Sequence, residues 1–278
     1  MTRPAARTAP QAPAPDRIRA TFERCRAAGE PALVTYVMSG DPDVPTSTAM
    51  ALACVEGGAD VLELGIPFSD PIADGPTIQH AAERALAAGT STTDVLAVAA
   101  AVRARSQVPI ALMGYLNPML AHGLVAFARD CRRAGVDALI VPDLLPEESE
   151  EIAPVLQQHG VRTVFLLAPT SGPERVEAAA RAATGFLYFV SVTGVTGARK
   201  ADPAEIGAQV KEIRARSHVP VVIGFGVSAP EEARALGKLA DGVVVGSAIV
   251  KRIAEGGSRA ARAARVTRFV RSLKRAMR

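Results

Sequence analysis

Eight short runs of apolar residues, separated by segments of helical periodicity, recur along this 278-residue chain, and that alternation is what most narrows its fold. The runs are residues 33–38, 60–64, 109–113, 136–141, 162–167, 185–190, 219–223 and 240–245. They are apolar on both faces, as strands of a parallel sheet covered by helices must be. Helical patterns fall between them, among others at 47–56, 121–134, 147–159, 174–182, 203–217 and 230–238. Several open on a helix-start signal, such as Pro146 before Glu147 and Glu148, Pro203 after Asp202, and Ser228 before Pro230. Gly57, Gly58, Gly135 and Gly160 close others just before the next strand. An α/β chain that alternates eight times without a break in composition predicts a single (β/α)8 TIM barrel. An open doubly wound sheet, which normally stops at about five to seven strands, ranks second. An extra N-terminal helix over 16–28 precedes the first strand and is placed to cover the barrel bottom.

Charge needs dividing before it is used. The net charge is +4, but the segment from Ser258 to Arg278 holds eight basic side chains and no acidic one, so the remainder carries −4. Within that segment Val266, Phe269, Val270, Leu273 and Met277 recur at helical spacing, which predicts a basic C-terminal helix docked by its apolar stripe. With no aromatic platform interleaved, nucleic-acid binding is not expected. No run approaches the roughly 18 apolar residues of a membrane span. Cys25, Cys54 and Cys131 are odd in number and far apart, and His80, His122, His159 and His218 lack ligand spacing, so neither a disulfide framework nor a metal site is expected. Residues 1–15, rich in Ala and Pro without a secretory apolar core, read as a disordered extension of a cytoplasmic protein. Residues 16–278 then form the catalytic barrel.

Two intervals between strand starts are longer than the rest: 49 residues from Asp60 to Pro109, and 34 from Gly185 to Val219. Both follow strand C-termini, where barrel active sites are built, and are expected to hold functional loops. Glu63 lies between Leu62 and Leu64, a lone charge at the end of an apolar strand. Inside a barrel it would be poorly solvated, its pKa raised into the range of a neutral-pH proton donor. Asp74 follows in a Pro- and Gly-punctuated loop, making an acid/base and charge-stabilising pair plausible against a plain salt-bridged Glu and a turn Asp. Gly224-Phe225-Gly226 after strand 7 and Gly246-Ser247 after strand 8 let backbone N–H groups approach an anion beside a helix N-terminus, which points to a phosphate-bearing substrate. Residues 191–199, small and flexible, read as a lid.

These residues together resemble the tryptophan synthase α-subunit family. The resemblance rests on LELGIPFSDPIADGPTIQ from Leu62 to Gln79, Ser39-Gly40-Asp41-Pro42, and Leu112-Met113-Gly114-Tyr115-Leu116-Asn117-Pro118. It continues through Val141-Pro142-Asp143 with Glu147-Glu148, Tyr188 with Ser191, Gly194-Val195-Thr196-Gly197, Gly224-Phe225-Gly226 and Gly246-Ser247-Ala248-Ile249-Val250. It implies a lyase of tryptophan biosynthesis that cleaves indole-3-glycerol phosphate, by a retro-aldol route, into indole and glyceraldehyde 3-phosphate. Glu63, Asp74 and Tyr188 take the catalytic positions. Tyr36, Leu112, Thr196, Gly197, Phe225, Gly226, Gly246 and Ser247 take substrate or phosphate positions, and the loops of Asp70, Pro71 and Asp143 the partner interface. The implied partner is a β subunit carrying pyridoxal phosphate, in an αββα heterotetramer, with no cofactor in this chain. Where the family often has a proline soon after the strand-4 Asp, this chain has Leu144-Leu145-Pro146. A stand-alone indole-3-glycerol phosphate lyase and a non-catalytic barrel subunit that activates a β partner stay open as alternatives.

Overall fold

The computed structural model describes residues 16–190, 203–224 and 226–278. Strands β1 (Ala32–Met38), β2 (Val61–Gly65), β3 (Ile110–Met113), β4 (Ala138–Ile140), β5 (Arg162–Leu167), β6 (Leu187–Val190), β7 (Val221–Gly224) and β8 (Gly242–Val245) occupy all eight expected runs. Each pairs in parallel with the next, and β8 pairs back onto β1, closing the barrel. The helices are α1 (Arg17–Ala27), α2 (Val44–Gly57), α3 (Pro76–Ala87), α4 (Thr92–Arg103), α5 (Leu116–His122), α6 (Leu124–Ala134), α7 (Ala153–Gln158), α8 (Pro173–Ala182), α9 (Pro203–Arg216), α10 (Pro230–Gly237), α11 (Ser247–Ala254) and α12 (Arg259–Ala276).

Alternation along each strand divides the core in two. Leu62 and Leu64 face outward into the layer between sheet and helices, while Val34, Ala111, Val164 and Val244 fill the interior. Ile18, Phe22 and Cys25 of α1 join that interior cluster, with the rings of Phe22 and Phe186 5.9 Å apart, so α1 closes the bottom as expected. The basic helix α12 also docks as expected: Val266, Phe269, Val270, Leu273 and Met277 are buried, and Thr267 bonds the carbonyl of Ala53 on α2.

Three segments differ from the sequence reading. The long interval after β2 is mostly α3 and α4, leaving a loop of only residues 66–75. The helix expected over 121–134 breaks at Gly123, whose φ of +87° no helix continues through. The helix expected over 147–159 becomes a single 3-10 turn (Pro146–Glu148) and the short α7, because Pro154 can sit in a first turn but not in a helix interior.

The bottom rim repeats one device four times. A residue ahead of each even-numbered strand accepts a backbone N–H from the first or second residue of the preceding odd strand: Asp60 from Leu33 (2.9 Å), Asp137 from Ile110 (2.8 Å), Thr184, three residues ahead of β6, from Thr163 (2.9 Å), and Asp241 from Val221 (2.9 Å). The three carboxylates also hold cations: Asp60 holds Arg24 and the buried Lys274, Asp137 holds Arg17 and Arg103, and Asp241 holds Arg214. Since Arg17 and Arg24 belong to α1, the same pairs fasten that helix across the barrel floor.

Candidate active site

Glu63 enters the barrel because strand alternation sends it inward between two outward leucines. It lies in register with Tyr36 on β1 and Ala111 on β3, is 1% exposed, and its Oε2 has no hydrogen-bond partner among the described residues. Burial, reinforced by the charge of Asp74, pushes its pKa up to about 8. Asp74 hangs over the same space from the loop between β2 and α3. Two side chains hold that loop: Gln79 donates to the Asp74 carbonyl (2.8 Å), and the Tyr115 hydroxyl accepts the N–H of Ala73 (2.9 Å). Burial raises Asp74 to about 6, while a hydrogen bond from Tyr115 pulls the other way. Near pH 7 Glu63 therefore keeps its proton and Asp74 is largely ionised. Two carboxyl groups separated in this way are equipped for different roles, one as acid and one as fixed anion.

A cavity of about 600 Å³ lies at the C-terminal mouth, with both carboxyl groups in its lining. Tyr36 and Tyr188 both line it, and each hydroxyl is held in its protonated form by burial and by the neighbouring carboxyl groups. The tyrosines fit only because the strand beside each carries a glycine. A Cβ on Gly224 would lie 2.5 Å from Tyr188 Cε1, and one on Gly65 would overlap the Tyr36 hydroxyl. Gly226 (φ +59°), Gly246 and Ser247 line the far side. There the first turn of α11 directs amide N–H groups and the positive end of a helix dipole at the cavity.

The structure thus brings Glu63, Asp74, Tyr188, Tyr36, Gly226, Gly246 and Ser247 into one cavity. Leu112 is a correction. Its neighbours Ala111 and Met113 take the inward positions, so Leu112 packs in the outer core and Met113 lines the cavity instead. The register was the available signal: an inward Glu63 opposite Ala111 makes residue 113 inward too. Leu166 also lines the cavity and was missed; it pairs with Tyr188. Tyr115 and Gln79 were missed as well, since they act by holding the loop of Asp74 and only the folded chain brings them to it. Thr196, Gly197, Phe225 and the expected lid lie outside the described residues. Asp70 and Asp143 are exposed near the mouth and Pro71 is half-buried; Asp143 accepts the N–H of Leu116 (3.0 Å) at the start of α5. Among the described residues no group of three or more His, Cys, Asp or Glu side chains is gathered to hold a metal ion.

Fold and site together define a (β/α)8-barrel protein with two carboxyl groups of raised pKa in one cavity at the strand C-termini, lined also by Gly226, Gly246 and Ser247. The profile of the family described as tryptophan synthase alpha chain matches residues 22–278. The chain is 52% identical over 235 residues to the tryptophan synthase alpha chain of Geobacter sulfurreducens, covering 84% of this chain and 89% of that protein. It is 46% identical over 262 residues to that of Pelobacter propionicus, covering 94% and 98%. Among solved structures, tryptophan synthase subunit alpha from Legionella pneumophila superposes with a TM-score of 0.87 at 37% identity, covering 95% of this chain and 99% of that one. A chain of Mycobacterium tuberculosis tryptophan synthase gives 0.86 at 40% identity, covering 95% and 98%. The chain belongs to the tryptophan synthase alpha chain family, and it is a lyase of tryptophan biosynthesis that cleaves indole-3-glycerol phosphate to indole and glyceraldehyde 3-phosphate.

Proposed function

We propose that Glu63 is the proton donor and Asp74 the fixed anion of this cleavage. A retro-aldol reaction needs an electron sink, and indole supplies its own. A proton added at ring carbon 3 gives an indolenine cation, which accepts the electrons of the breaking bond from that carbon to the glycerol chain. Glu63, neutral near pH 7, gives that proton and recovers one from the glycerol hydroxyl as it becomes the aldehyde, so its protonation state is restored each turnover. Asp74 accepts the indole N–H and stabilises the positive charge on the ring, a role suited to an anion held where water is scarce. Tyr188 and Tyr36 flank the ring, and the phosphate rests on Gly226, Gly246 and Ser247 at the start of α11. Thr196, Gly197 and Phe225 complete the substrate contacts in this reading.

The proposal rests on two carboxyl groups lining one cavity, Glu63 buried and raised to about 8, Asp74 half-buried and raised to about 6. Their presence also argues against a non-catalytic subunit. Its test is Glu63→Gln, expected nearly to abolish indole release, by about 10²–10⁴ in kcat, while phosphate-anchored substrate binding persists; ordinary turnover in that variant would end the assignment.

The β-subunit partner is assigned to the mouth, where the loops of Asp70, Pro71 and Asp143 surround Ile72 and Leu145, 86% and 40% exposed. An αββα heterotetramer follows in this reading, with pyridoxal phosphate in the β subunit and no cofactor in this chain. Residues 1–15 form an extension to the catalytic barrel of 16–278. A cytoplasmic location suits three unpaired, buried cysteines. Among the described residues no single helix is long and apolar enough to cross a membrane.

A further inference from the structure

The fourfold device of the bottom rim is incomplete at one quarter, and a cavity opens there. At β2, β4 and β8 the capping residue is an aspartate that also holds a cation; at β6 it is Thr184, which caps the N–H of Thr163 but brings no charge. Beside Thr184 lies a cavity of about 480 Å³, at the opposite end of the barrel from the active site. Three guanidinium groups, Arg19, Arg26 and Arg162, and the imidazole of His218 line it, against two carboxylates, Asp16 and Glu23.

The two acids do not exhaust these donors. Arg162 gives one nitrogen to Asp16 (2.6 Å) and another to the Thr184 carbonyl (3.3 Å). Arg19 gives its Nε to Glu23 (2.7 Å), while the side chain is 74% exposed. Arg26 reaches Asp241 only at 3.7 Å and is 69% exposed. A guanidinium carries five N–H donors, so each of these arginines keeps donors to direct into the cavity. At the other three quarters the cations have a carboxylate fixed by the strand start; here the matching position is neutral, and the space beside it is large enough for a small molecule.

We propose that this bottom cavity is a binding site for a small, multiply charged oxyanion, a phosphate group or its equivalent, held by Arg19, Arg26 and Arg162 beside Thr184. The bound anion supplies the negative charge that Asp60, Asp137 and Asp241 supply elsewhere on the rim. Arginine suits this task because its planar fork matches two oxygens of a phosphate at once. The site is separate from the phosphate-facing rim at the mouth, and its occupant need not be substrate or product.

The test follows the His218 ring signal by proton NMR while the full-length protein is titrated with inorganic phosphate. The four histidine signals are assigned with His218→Gln. In the native protein the His218 signal should move saturably. Thr184→Asp, which builds the missing carboxylate into the chain, should raise the midpoint at least tenfold. Arg19→Gln, a change at an exposed side chain, should also raise it several-fold. Both variants should keep native indole release, which shows them folded and separates this site from the active site. A His218 signal that does not saturate, or one whose midpoint is the same in all three proteins, overturns the proposal.

Discussion

The two ends of the barrel bury the same functional group and treat it in opposite ways. At the bottom, Asp60 receives the N–H of Leu33, Lys274 at 2.7 Å and Arg24 at 2.8 Å. Burial alone would raise its pKa, but these partners outweigh it and hold the carboxyl below its ordinary range. At the mouth, Glu63 is buried still more deeply, no cation among the described residues answers it and one oxygen has no partner among them, so its pKa rises to about 8. Between these two carboxyl groups the partners decide the outcome, whereas at Asp137 burial outweighs Arg17, Arg103 and the Ile110 N–H and leaves the carboxyl raised. A fully partnered one fastens strands and helices, and an unpartnered one stores a proton for chemistry at a cost in stability.

The sharpest way to break this contrast is Glu63→Gln. Removing a positioned proton donor costs about 10²–10⁴ in kcat, while KM for indole-3-glycerol phosphate should change little. The same variant should be the more stable protein in alkali. Because the folded-state pKa lies above the ordinary 4.5, the penalty is absent below pH 4.5, grows as pH rises and is complete above about 8. Thermal melts of the two proteins should coincide in acid and separate progressively between those limits. A Tm gap that does not depend on pH would contradict the raised pKa.

Asp60→Ala probes the other end. It leaves Lys274 buried with only Glu30, at 3.3 Å, to answer it, and should cost about 3–5 kcal/mol in a denaturant titration. The kcat of the remaining folded enzyme should be native. In the native protein the contribution of Asp60 is complete above the ordinary carboxylate range and is lost as pH falls through its lowered folded-state value. Acid unfolding of the variant should accordingly be less steep.

Two adjacent residues of β3 test the same division sideways, between the inner and outer layers. Leu112→Ala should destabilise by about 2–5 kcal/mol, the cost of a buried cavity, and leave KM near native. Met113→Ala should cost less stability and raise KM, because Met113 lines the substrate cavity. The reverse pattern would put Leu112 in the pocket after all. The smallest effect is expected for Tyr115→Phe. Losing a hydrogen bond that lowers the Asp74 pKa should move the acid limb of the kcat/KM profile from about 6 toward higher pH. An unmoved limb would remove Tyr115 from the support of Asp74.

How much of this was legible in the sequence follows the same physics. Covered parallel strands must be apolar on both faces, so all eight announced themselves, and Glu63 stood out because the other charges of these runs, Asp60, Asp137, Arg162 and Asp241, fall at their starts whereas Glu63 lies near a C-terminal end. Asp74 and the glycines of the rim were readable because loops at strand C-termini are short and carry few other polar groups. Helix α4 was not, since its alanine- and valine-rich run from Val95 to Val102 offers little contrast between faces. Leu112 was misplaced because a motif names a neighbourhood, whereas strand parity decides which of two adjacent side chains points inward. The bottom rim was invisible for a different reason. Asp60 and Lys274 are 214 residues apart, and only closure of the barrel and docking of α12 make them partners.

Whether Glu63 carries a proton at neutral pH can be watched directly at its carboxyl group. Protein labelled with ¹³C at the glutamate side-chain carboxyl, titrated by NMR and compared with Glu63→Gln, isolates that one signal. The account predicts a midpoint near 8, with the group neutral at pH 7. A midpoint near the ordinary 4.5 would mean that Glu63 is ionised in the working enzyme and cannot be its acid.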